Sequence, residues 1–208
     1  MSAQSAIVNV LTFLRVPLVL AWLAFAVAQE YRGGFWLGFG AIVAMFLSGI
    51  TDLFDGMLAR RWKVVSTLGK MADPLMDKIF YVVTFPSLIW QIARQGQSDV
   101  HAMVMLAFTI LYLSRDMWVT FIRSVGAMYG ADVAAMYLGK VRTALSFPCA
   151  GWTYMYLAFH AMVPQSWDFP WLMSCFVFEG FMILITIITL FTYTKAYLPY
   201  LKKALAQK

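Results

Sequence analysis

Charge is scarce in this sequence. Of 208 residues only 12% are Asp, Glu, Lys or Arg, and just ten are acidic. A soluble domain carries about 25% charged residues, so a surface wetted all round is excluded. Cysteine and histidine are equally sparse, with two of each, and Cys149, Cys175, His101 and His160 stand apart without metal-ligand spacing. That argues against zinc chemistry and against a disulfide framework. Repeats, low-complexity tracts and a soluble appendage are also missing. No Lys or Arg precedes the first apolar run. Although Ala26-Val27-Ala28 ahead of Gln29 has the look of a signal-peptidase site, that run is therefore expected to remain as a membrane span.

What is present is apolar, 62% of the chain. Runs at residues 11–28, 35–50, 73–92, 100–125, 139–162 and 171–193 predict an all-α integral membrane protein of six transmembrane helices, forming one domain over residues 1–208. If the second helix continues to Arg60, it is about 39 Å long and its acidic end emerges from the hydrocarbon. The net charge of +6 does not call for a nucleic acid. Lys and Arg gather between spans 2 and 3, between spans 4 and 5, and in the tail at Lys195, Lys202, Lys203 and Lys208, whereas the other loops hold only Arg32 and Arg94. By the positive-inside rule these basic segments and both termini face the cytoplasm, as in a bacterial-type inner membrane. The bilayer is the expected partner, with Trp152, Trp167 and Trp171 as interface anchors.

Four of the ten acids fall between Asp52 and Asp77. Asp52 and Asp55 are three apart, and Asp73 and Asp77 four apart, so on helices each pair shares a face. Four carboxylates in so apolar a chain need a compensating cation. Oxygen donors without sulfur or imidazole suit Mg²⁺ or Mn²⁺, and two such ions would clamp a diphosphate. The metal site is thus expected at the cytoplasmic ends of helices 2 and 3. Gly56 and Ala59 lack bulk beside it, leaving room for a ligand or a neighbouring helix. Asn9, Thr12 and Arg15 recur at steps of three; Arg15 either snorkels to the interface or joins the site. Arg115, Asp116 and Arg123 lie within the fourth span, where charge is costly and functional by default, an ion pair between helices being the alternative. With Lys140 and Arg142, the arginines Arg115 and Arg123 form a basic set suited to an acceptor's phosphate. Glu179, alone in the sixth span, fits a different class: an ion- or proton-coupled transporter.

The spacing Asp52-x2-Asp55-Gly56-x2-Ala59-Arg60-x8-Gly69-x3-Asp73-x3-Asp77 resembles the signature of the CDP-alcohol phosphotransferases, membrane enzymes of phospholipid synthesis. The resemblance implies that Asp52, Asp55 and Asp73 bind metal and that Asp77 serves as general base, also touching metal. It further implies that Gly56, Ala59, Arg60, Thr67 and Gly69 hold the CDP-linked lipid, and that the protein is a homodimer. A second pattern, Arg115-Asp116, Ile122-Arg123, Val133-Ala134-Ala135 and Gly139-Lys140-Val141-Arg142-Thr143, is similar to the phosphatidylglycerophosphate synthases within that family. Those enzymes more often carry Glu and Lys where Asp116 and Arg142 stand. This similarity implies CDP-diacylglycerol as donor and sn-glycerol 3-phosphate as acceptor. An Arg-Asp pair also occurs in eukaryotic-type cardiolipin synthases, which leaves phosphatidylglycerol as an alternative acceptor, with inositol phosphate a further one.

Overall fold

The computed structural model describes residues 3–62, 67–96, 98–131 and 136–206. The side chains of residues 67–74 and of Asp77 fall outside that description, and so does the Val133-Ala134-Ala135 segment. Among the described residues the chain forms six long helices: α1 (Ala3–Arg32), α2 (Phe35–Trp62), α3 (Thr67–Gln95), α4 (Asp99–Met128), α5 (Tyr137–Phe159) and α6 (Gln165–Ala206), with a 3-10 turn at His160–Met162.

Four helices, α1, α2, α4 and α6, are long and apolar enough to cross a membrane. Phe39, Phe46, Ile110, Leu184 and Phe191 point outward from the bundle, as side chains facing lipid do. The chain is an integral membrane protein. Among the described residues α3 and α5 fall outside that group of four; α3 buries Thr84 and Gln91, and α5 buries Arg142, Ser146 and Thr153. α3 packs against α1, α4 and α5, and α5 against α2, α3 and α6.

Several helices are longer than their apolar runs. α1 starts at Ala3, well ahead of residue 11, and α3 at Thr67, ahead of Asp73. Residues 165–170, expected as loop, open α6, and Lys195 to Lys203 extend the same helix. At 42 residues it measures about 63 Å, twice the hydrocarbon thickness. Helical hydrogen bonding does not stop where hydropathy falls. In the extension Tyr193 and Tyr197 are buried against Val119 and Ile122 of α4, so tertiary packing carries the helix onward.

The α1–α2 connection is a two-residue turn, Gly33 and Gly34, with φ of 67° and 106° that L side chains rarely adopt. The Gly33 amide donates to the Gln29 carbonyl at 2.7 Å and closes α1. The two helices consequently run antiparallel and in close contact. At the turn end, Gln29 donates to the Ala158 carbonyl (2.9 Å) and accepts from Tyr154 (2.8 Å). Midway, Tyr81, Phe85, Phe108 and Tyr112 form an aromatic core between α3 and α4, with centroid separations of 4.9 to 5.5 Å.

Glu179 is fully buried, and it joins three helices: His101 Nε2 on α4 meets its Oε1 at 3.0 Å, and the Thr153 hydroxyl on α5 donates to the same oxygen at 3.1 Å. Removing this acceptor leaves two buried donors unmatched. Glu179→Ala is therefore expected to lower unfolding free energy in detergent by about 1–3 kcal/mol, with Glu179→Gln retaining most of it. A Glu179→Ala protein as stable as the parent would show that the clamp contributes nothing.

Candidate functional site

At the end of the bundle away from the Gly33–Gly34 turn lies a cavity of about 980 Å³, to which all six helices contribute. Arg15 and Asp52 stand on one side, Arg115, Asp116, Arg123, Lys140 and Arg142 on another, with Lys78 and Tyr193 completing the wall.

The acidic side begins with helical spacing on α2, which presents Asp52 and Asp55 to α1. Arg15 is 3% exposed and does not snorkel. Its Nη2 hydrogen-bonds to both Asp52 Oδ1 and Asp55 Oδ2, the latter at 3.2 Å. Thr12, one turn earlier, donates to Asp55 Oδ2 at 2.9 Å. The two carboxylates differ in exposure. The Asp55 side chain is 6% exposed, that of Asp52 47%. Both converge on the Arg15 guanidinium, and Asp52 also lines the cavity; carboxylate oxygens are the donors that a hard divalent cation takes. Asp73 and Asp77 stand one turn apart on α3, but their side chains lie outside the described residues, as do those of Thr67 and Gly69. Among the described residues no three His, Cys, Asp or Glu side chains gather as a metal group.

Gly56, Ala59 and Arg60 follow on α2 and are not among the described residues lining the cavity. Among the described residues, a Cβ at Gly56 would meet only Arg60 Nη2, at 3.9 Å. No described neighbour therefore packs tightly against that position.

The basic side is held by one carboxylate. Asp116 Oδ1 accepts from Arg115 Nη1 at 3.1 Å and from Arg142 Nη2. The sequence neighbours Arg115 and Asp116 thus do pair, and they also recruit Arg142 from α5. Each guanidinium lies over an aromatic ring, Arg142 over Tyr112 at 3.9 Å and Arg115 over Tyr193 at 4.9 Å. Tyr112 is fixed in turn by its hydroxyl, which donates to Ser146 at 3.0 Å. Arg115 Nε and Nη2, and Arg142 Nε and Nη1, are buried without a hydrogen-bond partner. Two guanidinia against one carboxylate leave a net positive wall, to which the exposed Arg123 and Lys140 add.

Two lining residues escaped the sequence reading. Lys78, next to Asp77, donates to the Thr120 hydroxyl at 3.3 Å, and Thr120 donates to the Asp116 carbonyl at 2.7 Å. Its place directly after the last aspartate was the available signal. Tyr193 sits in the sixth apolar run and carried no signal at all.

A family model described as CDP-alcohol phosphatidyltransferase matches residues 5–191. A cardiolipin synthase (CMP-forming) of Streptomyces coelicolor is 35% identical over a stretch covering 40% of this chain and 38% of the relative. CDP-diacylglycerol–glycerol-3-phosphate 3-phosphatidyltransferases are also similar. That of Cereibacter sphaeroides is 34% identical over 65% of this chain and 56% of its own length, and that of Escherichia coli K12 28% identical over 72% and 76%. The chain thus spans less than two thirds of the first two relatives and about three quarters of the third.

Arg15→Met keeps much of the bulk and removes the charge that buried Asp55 holds. It is expected to lower stability in detergent by about 3 kcal/mol, the cost of breaking a buried ion pair from one side. An unchanged thermal midpoint would show that Asp55 does not depend on Arg15.

Proposed function

The chain belongs to the CDP-alcohol phosphatidyltransferase family, and on that premise we propose that it transfers a phosphatidyl group from CDP-diacylglycerol to sn-glycerol 3-phosphate, releasing CMP and forming phosphatidylglycerophosphate. The observation that supports the choice of acceptor is the set of four cations lining the cavity, Arg115, Arg123, Lys140 and Arg142, beside the Asp116 carboxylate that Arg115 and Arg142 share. A phosphate monoester brings several oxygens and the negative charge that such a wall favours. The names of the Cereibacter and Escherichia relatives support the same donor and acceptor.

In this reading Asp52, Asp55, Asp73 and Asp77 hold the divalent cations, Mg²⁺ or Mn²⁺ and two in number. When bound, these ions offset the charge of the CDP diphosphate and of the departing CMP. Gly56, Ala59, Arg60, Thr67 and Gly69 receive the CDP-linked lipid, supported by the loose packing of the described residues around Gly56. Arg115, Arg142, Lys140 and Arg123 orient the acceptor by its phosphate and turn its hydroxyl toward the aspartates. Asp77 takes the hydroxyl proton as the oxygen attacks the lipid-bearing phosphorus and the bond to CMP breaks. The residues across the cavity thereby bring two anionic substrates together without leaving either charge unmatched.

α3 and α5 span the bilayer with the other four helices as one domain over residues 1–208. The aspartate ends of α2 and α3, and both termini, face the cytoplasm of a bacterial-type inner membrane, because the basic connections lie there. The working form is a homodimer, as the family resemblance implies. The Streptomyces relative keeps phosphatidylglycerol as a second acceptor to test, and inositol phosphate belongs in the same comparison. The transport reading loses its main support, since Glu179 is engaged by His101 and Thr153 in an interhelical clamp.

Purified protein given CDP-diacylglycerol and Mg²⁺ is expected to release CMP only when glycerol 3-phosphate is added, and to stop on chelation. Asp77→Asn is expected to reduce release by about 100-fold or more, the usual share of a general base. Release with phosphatidylglycerol or inositol phosphate instead would keep the chemistry and overturn the acceptor. Gly56→Leu is expected to block CMP release by filling the nucleotide space, and full activity in that variant would remove Gly56 from the donor site.

A further inference from the structure

α6 reaches the basic side of the cavity through one buried side chain. Tyr193 is 4% exposed, and its ring lies 4.9 Å from the Arg115 guanidinium carbon. Its hydroxyl oxygen accepts the Met136 amide at 2.9 Å. Met136 is the residue that opens α5 and supplies no side-chain cap, so the phenol ties the start of that helix to α6 through the Met136 backbone N–H. Gly139, in the first turn of α5, comes so near that a Cβ there would lie 2.9 Å from the Tyr193 hydroxyl. One residue beyond Gly139 is Lys140, and three beyond is Arg142. A single phenol thus bears on the α4 arginine and on the start of the helix that carries the other two cations.

We propose that Tyr193 is a positioning residue of the acceptor-phosphate site, fixing Arg115 relative to Lys140 and Arg142. The proposal rests on the acceptor-phosphate reading above. Arg115 is restrained by the Asp116 carboxylate at Nη1 and by the Tyr193 ring, while its Nε and Nη2 have no partner. Without the ring, one restraint on the guanidinium plane is gone. Without the hydroxyl, the start of α5 loses its tie to α6. Either change lets the cations drift from the spacing that one phosphate group must bridge, and preorganised sites lose affinity steeply with such drift. Among the described residues Tyr193 bears on Arg115 and Met136, both on the acceptor side, and there its effect is expected.

The test uses the full-length protein with Mg²⁺ and two variants, read in two ways. Tyr193→Phe keeps the ring and removes the acceptor for Met136; Tyr193→Leu removes both. The KM for glycerol 3-phosphate is expected to rise about threefold in the first and about thirtyfold in the second, with the KM for CDP-diacylglycerol unchanged. Independently of turnover, the inorganic phosphate concentration giving half-maximal thermal protection is expected to rise by similar factors. If Tyr193→Leu does not fold, Tyr193→Phe and Gly139→Ala, which crowds the same hydroxyl, carry the test in the same direction. Unchanged phosphate half-points, no phosphate protection in the parent protein, or parallel rises in both KM values would overturn the proposal. Should the parent use an acceptor other than glycerol 3-phosphate while the variants still shift phosphate protection, Tyr193 keeps its role and the acceptor assignment alone is wrong.

Discussion

Charge placed in an apolar interior must find opposite charge nearby, and this bundle depends on how that is done. Arg15 is shared by Asp52 and Asp55, and Asp116 is shared by Arg115 and Arg142. Among the described residues the second group sets two guanidinia against one carboxylate, and Asp52, Arg115 and Arg142 all line the same cavity. The arginine side of the cavity therefore carries net positive charge and invites anions. A folded membrane protein sustains it because the charge borders a cavity instead of hydrocarbon.

The same constraint turns polar residues inward on every helix: Thr12 on α1, Ser48 on α2, Thr84 on α3, Thr109 on α4, Ser146 on α5 and Thr186 on α6 are all buried, while large apolar side chains such as Phe46, Val82 and Phe191 face outward. The His101–Glu179–Thr153 cluster ties three helices together through one carboxylate oxygen, Glu179 Oε1.

Much of this was legible in the residues, and what was not has identifiable causes. The aspartates and their glycine were visible because their spacing is regular and acids are rare in so apolar a chain. Arg115 with Asp116 stood out for the same reason. Arg15 was ambiguous, since an arginine near the end of an apolar run looks the same whether it reaches for headgroups or for a carboxylate on the next helix. Tyr193 was invisible, because an aromatic residue in a membrane helix is ordinarily packing and its value here comes from what α4 and α5 bring against it. The reach of α6 past its apolar run also depended on partners far away in sequence, Val119 and Ile122. The helical fold followed from composition, while the identity of those partners required the packed arrangement.

The Gly33–Gly34 turn gives the acidic side of the cavity an unusual sensitivity to length. Arg15 precedes Gly33 by 18 residues and Asp52 follows Gly34 by 18, so the two arms of the hairpin act like the legs of a pair of compasses, meeting because they are equal. Inserting or deleting one residue in either arm turns everything beyond it by about 100° and slides it by about 1.5 Å, carrying Arg15 or the aspartates off the shared face. Apolar exchanges at outward-facing positions of these arms, such as Leu20, Phe39 and Phe46, leave that register intact. Insertions and deletions do not, unless both arms change together, and so the length of this hairpin is under tighter constraint than most of its composition.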